Sequence, residues 1–460
     1  MSLFSLNAKY VRILLISIPS ICLLSCERFL DAKPDQTLTV PSSIRDLWAM
    51  IDNNNNLNAQ CASSSEILSD NYYLTDESWA AIRSEVQRAE YLWERNDDTN
   101  LDWLNYSAVR TANTVLEVLP SIKPGTKADE LMQIKGSALF FRGYYFYTLA
   151  QLFCLPYNPQ TVTQKYGLPL RIDTDFEKPS VRATVEETHQ QILRDLKESV
   201  SLLPIIPLVK TRPGKPAAYG MIAKTYLSMQ QYDSAGVYAG KCLALYDSLM
   251  NFDAEVDVQS PAPFNRFNKE VIFHAVSSRS TILGPAYAKV DSLLYKSYAD
   301  NDLRKTAYFN ANTGSDLGTY SFKGDYDGAG TSGGFVFAGV VTDEMYLIRA
   351  ECNARKGNVS LALQDLNTLL ENRFSNPYTP IVMTDAKETL KVILEERRKE
   401  LLFRGTRWTD LRRLKDDPEL SVVPERYING QTYRLLPNSN GYVISLPAIV
   451  MNRTDMEQNP

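Results

Sequence analysis

Residues 388–413 read ETLKVILEERRKELLFRGTRWTDLRR, and their pattern decides the fold. Leu390, Ile393, Leu394, Leu401, Trp408 and Leu411 recur at spacings of three, four and seven, the period of an amphipathic helix. Glu395, Glu396, Arg397, Arg398, Glu400 and Arg404 lie between them. Pairs one helical turn apart, such as Glu400–Arg404, contribute only ~0.2–0.5 kcal/mol each. So many arginines around one apolar stripe therefore point to a packing seam, with buried stems and paired guanidinium heads. The spacing predicts a helix over 388–404, broken at Gly405. The role expected of this helix is to lock the end of the chain onto the rest.

Working outward, the chain is rich in helical segments with small residues at regular intervals. Residues 128–153 form a long aromatic helix containing Gly136, Ala138 and Gly143, stopped before Pro156. Thr184 and Glu187 make a capping box for a helix to Leu203. Ala223 and Ala235 are twelve apart around a turn at 231–233, and Ala350 and Ala362 repeat that spacing around Lys356-Gly357-Asn358. This is the helix–turn–helix logic of tetratricopeptide repeats, in which small residues let two helices touch. Helices at 101–119 and 216–230 extend the array. Residues 251–341 have another texture: a strand at 271–276, then seven glycines with Tyr320, Phe322 and Tyr326 over 312–334. The fold class expected is mainly α, a tetratricopeptide-like superhelix with an inserted loop-rich, partly β subdomain.

The N-terminus reads as a processing segment. Lys9 and Arg12 precede an apolar run at 13–24, too short and too interrupted by Pro19 to span a bilayer well. The run ends in Leu23-Leu24-Ser25-Cys26, which resembles a bacterial lipobox with Cys26 as the acylated residue; a plain secretory signal is the alternative. The organisation expected is a signal peptide at 1–25, a tether at 26–41 and one domain at 42–460, with helical repeats at about 101–250 and 342–413 and the insertion at about 251–341. Cys61, Cys154, Cys242 and Cys352 show no metal-ligand spacing and read as buried thiols, while an oxidising compartment leaves disulfides open.

Residues 396–413 closely resemble the C-terminal signature of the SusD/RagB family, the surface lipoproteins of glycan uptake in Bacteroidetes, which reads E-R-x-x-E-L-x-F-E-G-x-R-W-x-D-L-x-R. Glu396, Arg397, Glu400, Leu401, Phe403, Gly405, Arg407, Trp408, Asp410, Leu411 and Arg413 match it. Arg404 stands where the family commonly has an acid. Trp103, Tyr106, Val109, Ala112 and Asn113 resemble the family's first long helix, Asp302 and Arg304 an internal Asp-x-Arg pair, and residues 441–447 its closing strand. The resemblance implies a lipid-anchored, outer-membrane protein facing the cell exterior. It would capture oligosaccharides and deliver them to a SusC-like TonB-dependent transporter, without catalysis or cofactor.

Composition and motifs fit that expectation. The net charge is −5, which argues against nucleic acid as the main partner. There is no GxSxG, HExxH or P-loop, and two histidines, His189 and His274, cannot build a three-His zinc site. Asp325-Tyr326-Asp327-Gly328 lacks the spacing of a calcium loop and reads as a turn. Sugars present apolar C–H faces and a hydroxyl rim, so the 26 tyrosines and five tryptophans are the informative residues. Asp70, Asn71, Tyr72, Tyr73, Trp79 and Trp93 combine aromatic and polar groups in one loop-rich stretch. Tyr287, Tyr320 and Tyr326 are placed to face them from the insertion. The rival readings are a glycoside hydrolase with an unrecognised acid pair, a peptide-binding member of the same family, and a repeat scaffold that binds only protein.

Overall fold

Ser43 and Asp46 cap each other's backbone at 3.2 and 3.0 Å, and this box starts α1 (Ile44–Ile51). It lies near the start of a computed structural model describing residues 41–98, 100–123, 125, 127–164, 166–175, 177–277, 280–330 and 336–460. The leader, Cys26 and nearly all of the expected tether lie outside the described residues.

The helical array follows from the small-residue spacing. Helices α2 (Tyr106–Val118), α3 (Ala128–Phe153), α4 (Val185–Leu202), α5 (Lys215–Ser228) and α6 (Tyr232–Leu243) each pack on the next. Helix α3 is the central rod, buried on nearly every side. Its Gly136 and Gly143 sit so close to α4 that an added Cβ would lie 2.9 Å from Leu202 and Leu196. Next in space comes α7 (Thr342–Arg355), although residues 244–341 intervene in sequence. Gly236 permits that contact, because a Cβ there would meet Cys352 at 2.9 Å. Helices α8 (Val359–Glu371) and α9 (Ala386–Glu400) pack on α7, and α10 (Thr406–Leu414) returns to α5.

A second apolar cluster joins Phe264, Tyr298, Tyr308 and Tyr326 of the 244–341 excursion to Ile67, Tyr72, Tyr91 and Leu402 from outside it. The strands are short and paired in twos. Strand β1 (Tyr72–Tyr73) pairs with β3 (Lys289–Val290), β2 (Val271–Phe273) with β6 (Val340–Val341), and β4 (Phe309–Ala311) with β5 (Tyr320–Phe322), all antiparallel. A last hairpin joins β7 (Glu425–Ile428) and β8 (Gln431–Arg434). Its two turn residues, Asn429 and Gly430, both have positive φ (51° and 78°), as a two-residue hairpin turn requires.

Three expected boundaries shift. The strand at 271–276 is paired regularly only to Phe273, beyond which an isolated bridge joins Val276 to Phe337. Residues 441–447 form no strand: residues 440–442 make a 3₁₀ turn, and the Ile444 amide instead satisfies the Leu152 carbonyl at the end of α3, at 2.8 Å. The helix expected over 388–404 ends at Glu400, and Phe403 (φ 55°) and Gly405 (φ 66°) turn the chain into α10. Glu400 and Arg404 therefore bond to other partners and not to each other.

Candidate functional site

The arginines of α9 and α10 face inward. Arg304 reaches Asp302 at 2.7 Å, Glu396 at 2.6 Å and Glu400 at 3.0 Å. Arg373 bridges Glu400 and Glu270, both at 2.8 Å. Arg413 holds Glu351 at 2.6 Å and Asp410 at 2.8 Å, and Arg404 holds Asp343 at 2.6 Å. Burial opposes ionisation of Glu400, yet Arg373 and Arg304 outweigh it and hold the carboxyl below its ordinary value. Glu270, Asp343 and Glu400 bring oxygens within 4.8 Å of one another, in a geometry open to a cation. All three already bond to arginines inside the core, so the cluster serves as counter-charge.

Five of the candidate ligand residues, Asp70, Asn71, Tyr72, Trp93 and Tyr326, are engaged by partners inside the fold. Asn71 is fully buried, donating to Glu66 at 2.9 Å. Tyr72 donates to the Ile67 carbonyl at 3.0 Å, and Trp93 Nε1 to the Leu68 carbonyl at 2.9 Å. Tyr326 is fully buried, its hydroxyl 2.6 Å from Glu270 and its ring 4.1 Å beneath Arg404. Asp70 is held by Arg407 at 2.6 Å. In these five residues the polar side-chain groups have found partners inside the protein.

The remaining four candidates, Tyr73, Trp79, Tyr287 and Tyr320, are half-buried. The β1–β3 ladder sets Tyr73 opposite Lys289, two residues after Tyr287, and so brings the two predicted segments together. Lys289 Nζ lies 2.8 Å from Asp316, which ties the β4–β5 loop to the same ladder. Tyr320 stacks on Tyr295 with centroids 3.5 Å apart and planes 16° from parallel. Trp79 stands on a short helix, Asp76–Ala81, capped by Thr75; Arg88 lies 5.5 Å over its ring. Trp79, Tyr287, Tyr295 and Tyr320 all pack against the outside of the second apolar cluster. These rings share one apolar backing, with Asp316 and Arg88 as partly exposed polar neighbours and Lys289 buried beneath Asp316's carboxylate. Tyr295 was missed from sequence, where it is one tyrosine among many; only its stacking marks it.

Both histidines are packed. His189 Nδ1 lies 2.9 Å from the Val185 carbonyl, and burial pushes its pKa down to about 4. His274 approaches Asp327 at 3.4 Å inside the turn at 325–328. Cys61, Cys154, Cys242 and Cys352 are buried free thiols.

Residues 28–227 match a family model described as SusD-like, starch-binding associating with outer membrane, and residues 343–448 match that of the SusD family. The segment between them, 228–342, contains the whole insertion. Among solved structures, a SusD superfamily protein from Bacteroides vulgatus is 20% identical, with a TM-score of 0.75 over 91% of this chain and 99% of the other. One from Bacteroides thetaiotaomicron is 16% identical, with a TM-score of 0.73 over 91% and 100%. A protein described as a laminarin-binding SusD-like protein is 18% identical, with a TM-score of 0.63 over 90% and 97%. No curated protein matches the chain.

Proposed function

The chain belongs to the SusD/RagB family, and from that premise we propose that it captures oligosaccharides at the cell surface and hands them to a SusC-like TonB-dependent transporter without chemistry of its own. The family is associated with the outer membrane, and no helix of the described residues is long and apolar enough to cross one. In this reading residues 1–25 are removed, Cys26 carries the lipid, residues 26–41 are the tether and 42–460 bind ligand. Several acyl chains give the stable anchoring that one does not.

The observation that carries the reading is the β1–β3 ladder. It joins two segments far apart in sequence and sets half-buried aromatics beside Lys289 and Asp316. Each ring stacked on a sugar face contributes ~0.5–1.5 kcal/mol. Two or three such contacts give weak binding, since a millimolar Kd already corresponds to about −4.1 kcal/mol. Weak capture suffices beside a tethered transporter, where effective concentration is high.

The test is calorimetric titration against starch-, laminarin- and pectin-derived oligosaccharides, with chromatography of the same mixtures for released sugar. Binding without release is expected. Binding of peptides with no glycan bound, or sugar release abolished by a single Asp or Glu substitution, overturns the proposal.

A further inference from the structure

Where α3, α5, α7, α9 and α10 meet, the protein forms a partly open cavity of about 60 Å³. A water needs only ~10–15 Å³ on such a measure, so there is room for several waters or one small polyatomic ion. The lining holds three cationic side chains, Lys224, Arg397 and Arg404, and one carboxylate, Glu344; Asp410 and Asp343, outside the lining, pair with Arg397 at 2.9 Å and Arg404 at 2.6 Å. Both oxygens of Glu344 are already engaged, at 3.2 Å by Arg397 and 2.8 Å by Lys224. Arg397 is 2% exposed and Arg404 7% exposed. Each leaves one guanidinium nitrogen, Nη1 of Arg397 and Nη2 of Arg404, buried with no partner among the described residues.

Unpartnered buried N–H groups are costly, and costlier on a charged group. Here the two arginines that carry them both line one cavity. Gly405 helps keep the space open: at φ +66°, a Cβ there would strike Ser65 Oγ at 2.6 Å.

We propose that this cavity is a binding site for a small oxyanion of carboxylate, sulfate or phosphate size, held by the free N–H groups of Arg397 and Arg404 with Lys224. The site is separate from the aromatic face and does not depend on what that face binds.

The experiment has two arms. Crystals of the protein soaked in selenate are expected to show one anomalous peak per chain inside the cavity; waters alone there overturn the proposal. In solution, sulfate and acetate are titrated by calorimetry at fixed ionic strength, and their comparison separates an inorganic dianion from a carboxylate. Saturable one-to-one binding is expected, weakened about tenfold in Lys224→Met, which removes one charge-assisted donor and leaves Glu344 paired with Arg397. If that variant does not fold, Thr148→Leu fills the mouth of the cavity and is expected to abolish binding. No saturable binding, or equal affinity in the wild type and the folded variant, overturns the proposal.

Discussion

Arg407 and Asp70, 337 residues apart in sequence, form a two-point ion pair, with Nε 2.6 Å and Nη2 2.8 Å from the two carboxylate oxygens. The residue after Gly405-Thr406 in the signature motif therefore grips the loop that leads into β1. Arg398 of α9 adds a second hold, donating to the Asp70 carbonyl at 2.7 Å. The motif thereby fixes the loop that leads to Tyr73.

Asp70→Asn is expected to destabilise the protein by about 3 kcal/mol, the scale for breaking a buried pair from one side. Urea unfolding measures it. Burial alone would raise the Asp70 pKa, but Arg407 and Arg398 outweigh burial and set it well below the ordinary range. For an acid depressed in this way, the stabilisation is present above the unfolded pKa, ~3.9, and disappears as pH falls through the folded value. The gap between wild type and variant should therefore narrow below about pH 4. A gap that stays constant on acidification contradicts the assignment.

Trp408 is fully buried, donates from Nε1 to the Gln151 carbonyl at 3.0 Å and lies 5.8 Å from Tyr442 with planes 17° apart. Trp408→Ala should cost ~3–5 kcal/mol, the range for a buried aromatic. Ligand affinity of the folded fraction should be unchanged. Affinity lost at an unchanged melting temperature would place Trp408 in the site instead.

Glu90 is a buried acid with no ion-pair partner among the described residues. Ser64 Oγ donates to it at 3.0 Å, and Asn100 Nδ2 is its other partner. Burial, reinforced by Asp102, pushes its pKa from 4.5 up to about 8. The folded chain thus keeps a proton that the unfolded chain releases, so stability falls as pH rises from about 4.5 to 8. Glu90→Gln, which imitates the protonated acid, should flatten that slope. It should be more stable than the wild type at pH 8 by on the order of 3 kcal/mol. Urea midpoints at pH 5, 6.5 and 8 decide it, and parallel slopes would refute it.

The helices were legible because their signals are local. Thr184 and Glu187 form the box that their spacing announced, and Gly136 and Gly143 sit at the α3–α4 contact. The arginine seam was legible in kind but not in partners: Glu400 faces Arg304 and Arg373, since the helix stops before Arg404. The Asn429-Gly430 hairpin carried a turn signal that went unread. The aromatic face was half legible. Composition singled out two stretches that the β1–β3 ladder brings together, but within them Tyr72 and Trp93 are buried while Tyr73 and Trp79 are half-buried. That depends on long-range partners such as Arg426, which sits 5.4 Å over Tyr72 and 4.4 Å over Trp93.

The measurement that bears most directly on the central claim is a paired titration of the wild type and Tyr287→Ala/Tyr320→Ala with one oligosaccharide that the wild type binds. Both side chains are half-buried on the outside of the second cluster, so the double variant should keep the wild-type melting temperature to within a few degrees. Losing two ring faces at ~0.5–1.5 kcal/mol each should weaken binding roughly tenfold or more. Unchanged affinity in a folded double variant would contradict the account and place the ligand away from the β1–β3 ladder.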